Sequence, residues 1–145
     1  MPSCAIGPFF RLLDDTFTLD AARRIGFETV VEGADGFRVA HITQVSEISR
    51  DLADLAGQAL SRNHQYPDGF VLFIGTMFTP LEDRGEPGSG FTHKVGDVVS
   101  ISSPDLGTLV NEVVTCDQAE PWTFGTGALM ANLARRNLLP RLAER

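Results

Sequence analysis

The hydrophobic and polar positions between residues 27 and 43 predict a β-hairpin. Segment 27–31 is aromatic and β-branched, which favours a strand. Asp35-Gly36 follows as a strong turn signal, and segment 37–43 then alternates apolar and polar residues with the period of a strand. A preceding strand is predicted over residues 5–13, entered from the turn at Gly7-Pro8.

The apolar positions change to helical spacing over residues 46–62, which predicts the first of two main helices. Ser46 or Ser49 is available as its N-cap. The second main helix is predicted over residues 127–139, and residues 18–24 have the composition of one short helical turn.

An unbroken apolar run at residues 70–76, flanked by glycine, predicts a central strand that is buried on both faces. Two more strands are predicted over residues 97–103 and 108–115. A polar loop rich in glycine and proline, residues 79–90, separates these strands from the apolar run. Loops of this length within a domain are often functional.

The order of these elements predicts a single α+β domain over residues 1–145, with no internal repeat and no dividing linker. The composition agrees, because 43% of the 145 residues are apolar and 21% are charged. That share of apolar side chains excludes a disordered chain or a low-complexity fibre.

Net charge and cysteine content limit the classes of binding partner and indicate the cellular compartment. Twelve basic and 19 acidic residues give 12 − 19 = −7, which disfavours a nucleic-acid binder and a protein attracted to anionic membranes. No apolar stretch is long enough to span a bilayer. Cys4 and Cys116 form neither a disulfide framework nor a C-x-x-C knuckle, so we expect two reduced thiols and a cytoplasmic location.

The loop at residues 85–92 is close to the phosphate-loop pattern, but Phe91 stands where that pattern requires lysine. The following segment is strand-like, whereas a phosphate loop opens a helix. Both departures disfavour nucleotide binding. Similarly, segment 124–127 before the last helix is more typical of a turn with an N-cap than of an anion site.

Acidic and histidine side chains near this loop give no established site. Glu82, Asp83 and Glu86 cluster in it, but carboxylates on a flexible loop are more often solvated than metal-binding. His93-Lys94 beside the loop offers a proton or an anion contact, and an ordinary surface pair is the favoured alternative. Composition and spacing therefore predict no catalytic residue and no metal ligand.

Several segments, taken in order, nevertheless resemble a known family. They are Gly7-Pro8, the turn 33–36, the run 68–76, and the late segments 90–99 and 106–111. Together they look like the C-terminal portion of the fumarylacetoacetate hydrolase family. Residues 75–78, Asp83-Arg84 and residues 121–125 look like a bacterial branch of that family associated with sugar-acid metabolism.

The resemblance implies a mixed β-sheet roll and, usually, a homodimer. It also implies Mg²⁺ or Mn²⁺ bound by carboxylates and a 2-oxo acid or β-diketo acid substrate, converted by C–C hydrolysis, decarboxylation, isomerisation or dehydration. The metal would stabilise the enolate as a Lewis acid. Gly75 and Thr76 match the family's Gly-Thr motif, whose threonine contacts the substrate carboxylate. Without the resemblance, Thr76 reads equally well as a threonine that closes a strand.

In one respect the chain departs from the family pattern. The family's metal-binding carboxylates and its catalytic His/Glu lid lie upstream of the segments matched here, so we expect a C-terminal piece of such an enzyme. Two functions follow as alternatives. One is a hydrolase or lyase that needs an upstream half-domain, in cis or from another chain. The other is a non-catalytic domain that binds a small carboxylate or a protein partner.

Overall fold

The computed structural model describes residues 6–7, 9–75 and 79–139. They fall into two units, one within Ala5–Val113 and one within Val114–Arg145, and each is described by itself. The first unit holds a sheet and two helices, and the second holds one helix. An α+β architecture is therefore confirmed, while a single domain over residues 1–145 stays a prediction.

The sheet has four strands in the order β2-β1-β3-β4. Their bounds are Gly26–Glu32 for β1, Arg38–Gln44 for β2, Val98–Ser103 for β3 and Gly107–Glu112 for β4. The predicted hairpin and the two predicted later strands are thus confirmed. All three pairings are antiparallel, so the described residues contain none of the parallel pairing that a mixed sheet would have.

The centre of the sheet lies at Val31, which is paired with Val39 on β2 and with Val99 on β3. Val31 and Val39 are buried. This agrees with the predicted alternation of β2, because Val39 and Thr43 lie on the same face and are both buried.

The helices are shorter than the sequence pattern predicts. Helix α1 spans Leu19–Ala22, α2 spans Leu52–Ala59 and α3 spans Thr126–Arg135. Asp51 caps α2 by accepting a hydrogen bond from the Ala53 N–H, so neither Ser46 nor Ser49 is its N-cap. A 3-10 turn, Val45–Glu47, occupies the start of the predicted helix. Of the described residues, none belong to a helix long and apolar enough to cross a membrane.

A small apolar core lies beside the sheet, where α1, the 3-10 turn and α2 converge. Phe17, Ile25 and Val45 are its buried members. Ile48 and Leu52 pack against them and are partly buried. The backbone N–H of Val45 donates to the Ile25 carbonyl at 2.9 Å, which fixes the 3-10 turn to the entry of β1.

The prediction of a central strand over residues 70–76 is wrong for residues 70–75, which form no strand and are exposed. Thr76 lies outside the described residues. An apolar run is stable as a central strand only when neighbouring strands pair with both of its edges. In the described sheet the two positions with a neighbour on each side are held by β1 and β3.

The strand predicted over residues 5–13 is also wrong where the structure describes it. Residues 6–7 and 9–13 belong to no strand, and Phe9 is 86% exposed. In place of a sheet pairing, Asp14 and Phe17 form an isolated bridge that closes the following turn. The β-propensity of Phe9 and Phe10 has no effect without a partner strand.

Candidate functional site

Four charged side chains meet where the β1–β2 turn approaches the segment leading into β3. We call them the Arg84 network: Asp35, Arg84, Lys94 and Asp97. Asp35 belongs to the hairpin turn, Arg84 to the long polar loop, and Lys94 and Asp97 to the turn directly before β3. The network therefore joins three segments that are distant in sequence.

Asp97 and Arg84 form a buried ion pair at the centre of the network. Asp97 is 1% exposed and Arg84 is 6% exposed. The guanidinium binds the carboxylate through both terminal nitrogens, with Nη2 to Oδ1 at 2.7 Å and a second bond from Nη1 to Oδ2. Such a bidentate pair is among the stronger charge-assisted hydrogen-bond arrangements in proteins.

Backbone bonds fix Asp97 in place. Its carboxylate also accepts a hydrogen bond from the Lys94 backbone N–H at 2.8 Å, and its own N–H donates to the Lys94 carbonyl at 3.1 Å. The Arg84 hydrogen bonds lower the pKa of Asp97, opposing the desolvation that raises it. The same pairing raises the pKa of Arg84. Both groups are therefore held in their charged forms.

Asp35 forms the outer, solvent-facing part of the network. Its carboxylate accepts from Lys94 Nζ at 2.8 Å and from Arg84 Nη2 at 3.2 Å. It also accepts from the Phe37 backbone N–H, an arrangement that stabilises the hairpin turn. The hydrogen bond from Lys94 and the one from Phe37 lower the pKa of Asp35 to about 2. Two cations and two carboxylates thus compensate one another.

Aromatic rings and one glycine enclose the guanidinium. Arg84 Cζ lies 4.5 Å from the centroid of the Phe37 ring, a cation–π distance. Phe91 lies 5.9 Å from Phe37, centroid to centroid. Gly33 leaves the remaining room, since a Cβ atom there would overlap Arg84 Nη2 and Asp35 Oδ1. Arg84 Nε is buried and has no hydrogen-bond partner among the described residues.

The predicted pair His93-Lys94 lies at the Arg84 network. His93 Nδ1 lies 3.6 Å from Asp97 Oδ2, and the His93 ring packs edge-on against Phe91 at 4.9 Å. His93 and Lys94 are both exposed. The imidazole is accessible for proton exchange beside a carboxylate, and the Lys94 ammonium for contact with an anion. Whether either acts on a substrate stays a prediction.

Of the two predicted substrate residues, the structure describes Gly75. It is exposed, and a Cβ atom there would meet no described atom within 4 Å. Its φ of +83° is a backbone conformation that favours glycine. Thr76 lies outside the described residues.

The acidic cluster of the loop serves the backbone rather than a cation. Asp83 accepts hydrogen bonds from the N–H groups of Gly88 and Gly90 at 2.6 and 2.7 Å. Those bonds lower its pKa. Within residues 6–7, 9–75 and 79–139, no three His, Cys, Asp or Glu side chains are grouped so that they could hold a metal ion.

The sequence pattern indicates no role for Arg84 or Asp97. The available signals are weak: Gly96-Asp97 precedes an apolar strand, and Arg84 lies in a loop whose other charged residues are all acidic. Neither signal indicates the other as a partner. Comparison with protein families, with curated proteins and with solved structures found no match.

Proposed function

We propose that the chain takes part in the conversion of a 2-oxo acid or β-diketo acid by enolate chemistry of the fumarylacetoacetate hydrolase type. In this proposal Gly75 and Thr76 bind the substrate carboxylate. The chain would adopt the C-terminal β-roll of that family, which requires a parallel pairing in addition to the three antiparallel ones described.

One observation carries the proposal: three of the five segments that resemble the family lie at one sheet. The turn 33–36 joins β1 to β2, segment 90–99 leads into β3 and includes its first two residues, and segment 106–111 supplies most of β4. The Arg84 network then ties the loop after Gly75 to this sheet. An anchor within that loop would limit the positions of the Gly75-Thr76 pair, which favours binding of a specific ligand.

The Mg²⁺ or Mn²⁺ that the family uses does not fit the described residues. Asp35 and Asp97 are carboxylates close to each other, but both accept from Arg84 Nη2, and this guanidinium already neutralises them. A divalent cation beside it would be repelled. The metal, which supplies Lewis-acid stabilisation of an enolate, would therefore take its ligands from other residues or from a partner, namely a second copy or an upstream half-domain.

Acetylpyruvate binding tests the proposed carboxylate site. We expect saturation-transfer NMR to show binding to the chain, and Thr76→Val to weaken it about three- to tenfold because one hydrogen bond to the carboxylate is lost. Thr108→Val is the matched control, since Thr108 is exposed on β4. Equal affinities of the two variants, or no binding by the parent chain, would contradict the role of Thr76.

Calorimetric titration with Mg²⁺ and Mn²⁺ tests the proposal that the metal takes its ligands from a partner. We expect no tight stoichiometric binding by this polypeptide alone, and acetylpyruvate turnover only when a carboxylate-bearing half-domain is added. Tight binding at one ion per chain would show that the chain holds its own metal site.

A specific observation favours the second candidate, a non-catalytic domain that binds a protein partner. The described part of the apolar run, residues 70–74, exposes five consecutive large side chains, and Phe73 is 64% exposed. Contiguous exposed apolar residues mark interaction surfaces more often than isolated ones do.

Self-association tests whether the apolar run is a protein-binding surface. We expect sedimentation velocity to show a concentration-dependent dimer, and Phe73→Ser to shift it towards monomer because apolar area is no longer buried at the contact. Leu81→Ser is the control, since Leu81 is 88% exposed but lies outside the run. A strictly monomeric parent chain at high concentration would exclude self-association through this run.

A further inference from the structure

A cleft of about 320 Å³ lies between the end of α1, the 3-10 turn and the start of α2, away from the Arg84 network. This volume is at the small end of the range typical for ligand pockets. The apolar part of its lining is formed by Val45, Ile48 and Leu52, which are also members of the apolar core or pack against it. The floor of the cleft is therefore held in position by the packing of the apolar core.

Three arginines lie around this apolar floor, and their surroundings differ. Arg23 is fully engaged: it binds Asp51 at 2.5 and 3.0 Å and Asp20 at 2.5 Å. Arg50 binds Asp54 through Nε at 2.8 Å and Nη2 at 2.7 Å, so that its Nη1 points to no described acceptor. Arg24 lines the cleft and has no ion-pair partner among the residues that the structure describes.

Among the described residues, Arg24 is the one arginine of the three that has no ion-pair partner. Three arginines and three aspartates balance in charge around the cleft, but the aspartates bind Arg23 and Arg50, and the Arg24 guanidinium has no described acceptor for its five N–H donors. The N-terminus of α2 is not the attracting group, because Asp51 already caps it. An unpaired guanidinium beside an apolar floor therefore offers one contact to an anionic group and another to an apolar group.

We propose that this cleft binds a small organic anion that carries an aromatic or branched alkyl group. Its carboxylate pairs with Arg24 and receives a second hydrogen bond from Arg50 Nη1. Its apolar group covers Val45, Ile48 and Leu52. Gly75 is not among the lining residues of this cleft, and the inference does not depend on the proposed function.

Both parts of the ligand follow from the lining. A guanidinium matches the geometry of a carboxylate, which accepts two parallel hydrogen bonds. An inorganic anion alone would leave the apolar floor wet and gain no burial energy there. A neutral apolar molecule would gain no hydrogen bond from Arg24, because this exposed guanidinium would keep its donors bonded to water.

Calorimetry with phenylacetate, phenylacetamide, acetate and inorganic phosphate tests the inference. We expect phenylacetate to bind best, and Arg24→Gln to weaken its binding about five- to tenfold, the range for loss of one charge-assisted pair. Arg24→Lys keeps the charge but loses the planar donor pair, so it is expected to recover part of the affinity. Arg62→Gln is the matched control, because Arg62 is exposed, carries the same charge and does not line the cleft.

Each arm has an outcome that would overturn the inference. If phenylacetamide binds as tightly as phenylacetate, the carboxylate does not contribute to the affinity. If acetate or phosphate binds as tightly, the apolar floor does not contribute. An equal effect of Arg24→Gln and Arg62→Gln would mean that only the overall charge matters. Arg24 is exposed and unpaired in the described structure, so the thermal melting curve of Arg24→Gln should match that of the parent chain and show that the variant is folded.

Discussion

Replacing Asp97 with alanine is expected to lower the melting temperature of the chain by on the order of 10 °C. The reason is the position of Arg84, whose guanidinium is buried and depends on Asp97 for two of its hydrogen bonds. Without the carboxylate, the described partners left to this buried cation are the Asp35 carboxylate and the Phe37 ring. Differential scanning calorimetry or circular dichroism measures the change.

Two variants separate this effect from a general loss of contacts. Asp35→Ala removes the solvent-facing carboxylate of the same network and is expected to cost only about 3 °C, as exposed ion pairs do. The double variant Arg84→Met/Asp97→Leu replaces the buried pair with apolar side chains and is expected to recover much of the loss. If Asp97→Ala melts with the parent chain, the buried pair does not anchor the loop.

The loss of folding stability at low pH is a second measurement of the Arg84 network. Both carboxylates have folded-state pKa values below their ordinary value of 3.8, about 2 for Asp35. A lowered folded-state pKa stabilises the fold above the unfolded value, and this contribution is lost as pH falls through the folded value. Stability of the parent chain should therefore decrease between about pH 4 and pH 2. The Arg84→Met/Asp97→Leu variant should show a flatter decrease in that window.

The hairpin and the β3–β4 pair were predictable because their signals are local. Asp35-Gly36 marks a turn between two alternating segments, and the strands on either side then pair in a register that the buried face fixes. The same logic holds for β3 and β4, which are joined by a short turn. In each of these two hairpins, the pairing strand lies next to its partner in the sequence.

The apolar run at residues 70–75 shows where that logic fails. Its composition is that of a buried strand, but burial depends on partners supplied from elsewhere, and the described sheet pairs β1 with β2 and β3 instead. Helix α2 differs for a related reason: its apolar spacing begins at Ile48, but the 3-10 turn is fixed to β1 and the helix begins only at Leu52.

The candidate site was less predictable than the fold, because ion pairs between distant segments leave no periodic signal. Arg84 and Asp35 are separated by 49 positions, and nothing in the sequence associates them. His93-Lys94 was identified as a possible proton or anion contact from residue type alone. The structure adds the reason for its position, since Lys94 and Asp97 share the turn before β3.

The largest steric effect is expected at Gly33, where alanine should lower the free energy of unfolding by about 1–3 kcal/mol, the range for overpacking a filled site. The added methyl group would overlap Arg84 Nη2 and Asp35 Oδ1. Flexible side chains usually move away from such a contact, but both terminal nitrogens of Arg84 are bound to Asp97. Urea denaturation measures the change. Gly57→Ala is the control, because Gly57 lies in α2 with no neighbour within 4 Å of its Cβ position.

A double-mutant cycle distinguishes a clash with Arg84 from a general intolerance of alanine in the turn. In an Arg84→Met background the pinned nitrogen is absent, and the half-exposed Asp35 side chain can turn towards solvent. The additional cost of Gly33→Ala should then fall by more than half, giving a coupling energy of about 1 kcal/mol or more. An unchanged cost would place the strain in the turn backbone itself. In that case glycine at position 33 would be required by the backbone of the hairpin turn and not by the room that the Arg84 side chain needs.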